Sequence, residues 1–108
     1  MSKVLYEKRD DVALVTINRP EKLNALDLEG WKLLKRYLLQ AEADEEVLAV
    51  VIMGTGRAFC AGDDISILED LKGAKDVQKL FDTVMSVFTV IETLSKPVIA
   101  RVNGLAYG

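Results

Sequence analysis

Val47-Leu48-Ala49-Val50-Val51-Ile52-Met53-Gly54-Thr55-Gly56 is the stretch on which the fold turns. An unbroken apolar run rich in β-branched residues has the pattern of a strand buried on both faces, as in a parallel sheet. The glycines that follow favour a loop, because their backbone freedom is costly inside a regular element. Upstream the period changes: Leu28, Trp31, Leu34, Leu38 and Ala41 recur every three or four residues, which places them on one helical face. Asp27 suits the N-cap of this helix, and its end is expected near Asp44. Further upstream, Val4 to Glu7 and Val12 to Ile17 flank the charged Arg9-Asp10-Asp11, the pattern of a β-hairpin.

Downstream, Gly54 to Gly62 is expected to be a loop, followed by a helical turn around Ile65 to Leu71. Beyond Gly73, residues Val77, Leu80, Phe81, Val84, Phe88 and Ile91 form a wide helical stripe, broadened by Met85, Val87 and Val90. Pro97 opens a strand over Val98 to Val102, and Asn103 to Gly108 forms a second glycine-rich loop. Strands alternating with helices of this length predict an α/β fold, a β-hairpin followed by mainly parallel strands. Residues 1–108 are read as one unit, and the finish on a tight glycine turn reads as a domain cut short.

Composition narrows the function. Half of the residues are hydrophobic and 29% are charged, which is globular composition. The net charge of −3 is spread along the chain, so no basic stripe exists to neutralise phosphates and nucleic acid is not an expected partner. The N-terminus lacks an unbroken apolar stretch, and the most apolar run, Val84 to Leu94, is too short to span a bilayer. No membrane association is expected, and a cytoplasmic location is the default. Cys60 is the only cysteine, which excludes an intrachain disulfide. With no histidine, acid/base chemistry within this sequence falls to carboxylates, Lys or Tyr.

Two glycine-rich loops at the carboxyl ends of parallel strands lie where ligands bind in open α/β sheets. Such loops can aim backbone N–H groups at one developing anion, as in an oxyanion hole, although glycine turns joining strand to helix are more often plain connections. Phe59 stands where a dinucleotide fingerprint needs its third glycine, and no Gly-Lys-Ser/Thr completes a phosphate loop. Cys60 has no histidine to activate it and reads as a buried structural thiol. Asp63 and Asp64, with Glu69 and Asp70, read as helix-capping acids rather than a metal site. Trp31, Phe81 and Phe88 read as core.

The particular residues are more specific. Asn18-Arg19-Pro20-Glu21-Lys22-Leu23-Asn24-Ala25-Leu26, Gly54-Thr55-Gly56-Arg57-Ala58-Phe59-Cys60-Ala61-Gly62-Asp63-Asp64-Ile65, and Lys96 through Asn103-Gly104-Leu105-Ala106-Tyr107-Gly108 follow in order. Together they resemble three successive motifs of the enoyl-CoA hydratase/isomerase (crotonase) family. The resemblance implies the N-terminal portion of a crotonase-like fold, acting on an acyl-CoA thioester, with coenzyme A as part of the substrate and no separate cofactor or metal.

By the same resemblance, the Asp63 backbone N–H is an oxyanion donor, at a position where small or apolar side chains are frequent. Gly108 lies next to the residue that supplies the second donor, and the family's catalytic glutamate is expected a few residues further on. Lys22, Leu23 and Ala25 match the segment that grips coenzyme A, and Ala61, Asp63, Asp64 and Ile65 line the cleft. For the apolar members plain packing is the commoner role, and for Lys22 a solvated loop.

Hydration of a 2-enoyl thioester is the first expectation, with isomerisation or thioester hydrolysis as alternatives. Residues 1–108 alone are expected to be inactive. The alternative from another class is a non-catalytic fragment that associates with itself or a partner chain. The breadth of the second helical stripe adds the expectation of a homo-oligomer.

Overall fold

The computed structural model describes residues 2–22, 24–55, 58–60, 74–101 and 105–106. Strands β1 (Val4–Arg9) and β2 (Val12–Ile17) form the expected hairpin, in register from Val4 opposite Ile17 to Arg9 opposite Val12. The connection is the two residues Asp10 and Asp11. Asp10 has φ 56°, the left-handed conformation that tight hairpin turns require and that aspartate tolerates. β1 runs beyond Glu7 through Lys8 and Arg9, and Lys8 reaches Asp44 and Glu46 across the fold, each at 3.1 Å.

A 3-10 turn (Pro20–Lys22) leads to helix α1 (Leu28–Ala43). Asp27 caps α1 by accepting the Gly30 N–H at 2.9 Å. A Cβ on Gly30 would come within 2.9 Å of the Leu26 side chain and 3.3 Å of the capping carboxylate, so the bare backbone permits this close approach. Trp31, Leu34, Leu38 and Ala41 are buried, as their spacing requires. At the far end, Lys96 Nζ donates to the carbonyls of Ala41 (2.7 Å) and Asp44, placing a cation at the negative end of the helix.

Strand β3 is Ala49–Gly54, two residues later than the apolar run begins. Val47 and Leu48 belong to the approach, where their N–H groups bond the carbonyls of Asp44 and Asp11 rather than a ladder partner. Val47 is nevertheless fully buried, so apolarity at this point reports packing and not strand. Helix α2 (Ala74–Thr93) and strand β5 (Val98–Arg101) follow. The main sheet has the order β1-β2-β3-β5, with β2, β3 and β5 parallel.

Both glycine-rich segments depart from the expected plain loops. Ala58–Cys60 is a short strand, β4, and Leu105–Ala106 is another, β6, and the two pair in parallel as a separate sheet. Each is stabilised by a partner far away in sequence, which local composition does not reveal. The helical turn expected at Ile65 to Leu71, and Val102 at the end of β5, lie outside the described residues.

The core forms between the helices and one face of the sheet: Val4, Ala13, Val15, Ile17, Val50 and Ile52 meet Leu34, Leu38, Ala41 and, from α2, Val87. The other face is less covered. Val51 and Met53 are half-buried and Ile99 is exposed, which corrects the expectation that the central strand is buried on both faces. Among the described residues the helical layer covers only one side. On α2, Val87 faces the core, while Val77, Phe81, Met85 and Phe88 are exposed. Phe88 touches Trp31 at 6.1 Å between ring centroids, so it is partly covered, whereas Phe81 is not the core residue expected.

Candidate active site at the carboxyl ends of the parallel strands

The registers place Ile17 opposite Gly54 and Met53 opposite Arg101, so β2, β3 and β5 end side by side. Chain leaving these strands therefore emerges along one edge of the sheet, the position where α/β folds bind ligands.

The segment after β2 is held by its own hydrogen bonds. Arg19 C=O accepts from the N–H groups of Lys22 (2.9 Å) and Asn24 (2.7 Å), and Lys22 C=O accepts from Ala25 N–H at 3.0 Å. Arg19 Nη1 donates to Ala25 C=O at 2.9 Å. Lys22 and Ala25 thus spend backbone groups on the loop itself. Ala25 is buried as a packing residue, and the Lys22 side chain is exposed on the rim.

Asn24 is buried with φ 59°, and its carboxamide joins two segments. Oδ1 accepts Arg19 N–H and Nδ2 donates to Thr55 C=O, each at 2.7 Å. Thr55 in turn donates its N–H to Ile17 C=O at 3.0 Å, and its hydroxyl lies 3.2 Å from Asn18 Oδ1. The composition of the loop did not single out Asn24 or Thr55 for this role. The usable signal is an asparagine just before the apolar Ala25-Leu26, since asparagine tolerates the left-handed conformation and carries both a donor and an acceptor.

Beside this loop an open pocket of about 350 Å³ is lined by Lys3, Asn18, Arg19, Pro20 and Glu21. Lys3 is engaged by Asp27 and, at 3.4 Å, by Glu29, and Arg19 Nη1 lies 3.9 Å from the same Asp27 carboxylate. Burial alone would raise the Asp27 pKa. Hydrogen bonds from Lys3 and the Gly30 N–H, with the nearby Lys3 and Arg19 charges, outweigh it and hold the group below its ordinary value. The Lys3 pKa is raised, chiefly by its hydrogen bond to Asp27. This ionic cluster pins the N-terminus of α1 against the base of the loop.

The β4–β6 pair brings the two glycine-rich segments together. Ala58 is opposite Leu105 and Cys60 opposite Ala106, with a register shift between. Paired strands lie about 4.8 Å apart. Leu23, Ala61, Asp63, Asp64, Ile65 and Gly108 lie outside the described residues, as do Glu69 and Asp70. Among the described residues, no group of His, Cys, Asp and Glu is placed to hold a metal ion, and no helix is long and apolar enough to cross a membrane.

Comparison with known proteins bears on this arrangement. The sequence pattern of the family described as enoyl-CoA hydratase/isomerase matches residues 12–108. The chain is 42% identical to a short-chain-enoyl-CoA hydratase of Clostridium acetobutylicum, over all of this chain and 41% of that protein. It is 34% identical to the mitochondrial 3-hydroxyisobutyryl-CoA hydrolase of Rattus norvegicus, over 99% of this chain and 29% of that one. The crystal structure of an enoyl-CoA hydratase/isomerase from Xanthobacter autotrophicus Py2 superposes with a TM-score of 0.89 at 36% identity, covering 95% of this chain and 39% of that one. The chain therefore spans less than half the length of these relatives. With the matched pattern covering most of its length and the shared architecture, the chain belongs to the enoyl-CoA hydratase/isomerase family.

Proposed function

We propose that the chain contributes the coenzyme A-gripping wall and one oxyanion donor to an acyl-CoA site whose reaction is hydration of a 2-enoyl thioester. The observation that carries this reading is the β4–β6 pairing, which brings the segment leading toward Asp63 alongside the segment leading toward Gly108. Both lie in motifs to which the family resemblance assigns oxyanion donors. The Asp63 N–H would polarise the thioester carbonyl, so that negative charge arriving on oxygen during attack at the β-carbon meets a fixed dipole. Removing one such donor typically costs about 2.7–4 kcal/mol of barrier, so both donors are needed for efficient turnover.

On the grip side, the Lys22 ammonium is the group to meet a coenzyme A phosphate, because its backbone is occupied within the loop. Leu23, Ala25, Ala61, Asp64 and Ile65 complete the cleft in this reading. Thioester hydrolysis is the second reading, favoured by the similarity to the rat protein named as a hydrolase. The same wall serves either reaction.

Calorimetric titration of coenzyme A into the chain tests the proposal. Saturable binding, weakened severalfold by Lys22→Ala, is expected. No saturable binding at millimolar concentrations, or full affinity in Lys22→Ala, contradicts the grip assigned here.

A further inference from the structure

We propose that Asn24 is a positioning residue of the acyl-CoA site, whose carboxamide ties the gripping loop after β2 to the head of the glycine-rich segment after β3 and so fixes the distance between the two walls. The inference rests on the acyl-CoA reading of the site and adds a residue that acts through others.

Three observations carry it. Asn24 is fully buried, although it sits in a loop of otherwise exposed or half-exposed polar residues. A buried amide is tolerated only when its groups are paired, and these pair across two segments: Oδ1 with Arg19 N–H and Nδ2 with Thr55 C=O. The partners fix the orientation of the amide, because reversing it would set oxygen against carbonyl and nitrogen against N–H.

The second observation is the backbone. At φ 59° glycine would be the unstrained choice. Glycine would supply the turn but no link, so the asparagine side chain adds something the turn itself does not need.

The third is where the link lands. Thr55 follows directly on Gly54 at the end of β3, and its N–H and hydroxyl are held from the β2 side by Ile17 and Asn18. With its carbonyl held by Asn24, Thr55 is fixed from both sides at the point where the chain sets out toward β4. Any slack there is passed to whatever β4 leads into. Positioning of this kind matters because small displacements of catalytic groups cost rate steeply.

Asn24→Gly tests the link, since it keeps the conformation and removes the carboxamide. Val47→Ala is the control: Val47 is buried just ahead of β3, at the end of the strand away from Gly54 and Thr55. Coenzyme A affinity is measured by calorimetry and backbone amide exchange by NMR, with melting temperature recorded for each variant. Asn24→Gly should weaken binding about tenfold, on the scale of losing the Nδ2–Thr55 hydrogen bond that joins the two segments. Faster exchange is also expected at Thr55 and at residues 58–60. Val47→Ala should melt lower yet bind like the parent. Parent-like affinity in Asn24→Gly, or an equal loss in Val47→Ala, overturns the assignment. Should the parent itself not bind coenzyme A, the acyl-CoA reading falls, and exchange alone decides the link. Accelerated exchange at Thr55 and residues 58–60 upholds it, and unchanged exchange refutes it.

Discussion

Helices α1 and α2 carry apolar stripes of the same period, and the structure uses them differently. On α1, Leu34, Leu38 and Ala41 are buried in the core, where the helix packs on α2 and on β1 and β2. On α2, Val87 is fully buried and Leu80, Val84 and Ile91 pack against the core, but Phe81 is 59% exposed, Val77 53% and Phe88 43%. A periodic stripe tells which side chains point the same way. How wide a cover that direction meets is a property of the tertiary neighbours, and a stripe wider than its cover leaves an apolar face in water.

The contrast is sharpest in paired substitutions. Leu38→Ala removes packing from a closed core and is expected to cost about 2–5 kcal/mol in chemical denaturation, whereas Phe81→Ala should cost less than about 1 kcal/mol. Similar losses at the two sites would erase the distinction between the helices. Val87 and Phe88, adjacent in sequence and alike by pattern, separate in the same way. Val87→Asp buries a charge and should unfold the chain, while Phe88→Asp should leave it folded.

The exposed face of α2 is also where self-association is expected, so sedimentation over a range of concentrations should show assembly that Phe81→Asp weakens. A monomer at every concentration would mean that this face needs no cover from a second copy.

Smaller effects are expected at the polar contacts. Asp27→Ala removes the N-cap of α1 and should cost about 1 kcal/mol. Because the folded Asp27 pKa is depressed, its contribution is present above the ordinary aspartate value of about 3.9 and is lost as pH falls through the lower folded value. The Lys3 pKa is raised, so its share is present below about 10.4 and is lost as pH rises through the folded value. Parallel denaturation of parent and Asp27→Asn should thus differ by a constant amount between these limits and converge beyond them. The smallest effect belongs to Tyr6, whose ring stacks on Tyr37 at 5.4 Å while its buried hydroxyl has no hydrogen-bond partner among the described residues. Burial, with the Asp44 charge, raises its pKa. Tyr6→Phe should leave thermal stability unchanged or slightly higher, since no bond is lost.

Much of this architecture is legible in the residues. The hairpin follows from two short, partly apolar runs around Asp10-Asp11, the N-cap from Asp27 ahead of a periodic helix, and the parallel pairing of β3 with β5 from the strand-helix-strand order. What local sequence misses is long-range. Leu48 reads as strand because it is apolar, yet its N–H goes to Asp11. Ala58–Cys60 and Leu105–Ala106 read as loop, yet they pair with each other. In the site, the exposed Lys22 could be singled out from its motif, whereas the Asn24–Thr55 bond joins positions that only folding brings together.

The central claim is that the edge formed by the ends of β2, β3 and β5 holds an acyl-CoA. It is tested most directly by titrating crotonyl-CoA into the isotopically labelled chain and following backbone amide shifts. The account predicts saturable shifts at residues 19–25, at Thr55 and across residues 58–60, with the Asp10-Asp11 turn at the other end of the hairpin unmoved. Shifts centred on that turn or on the exposed face of α2, or none at saturating ligand, would contradict it.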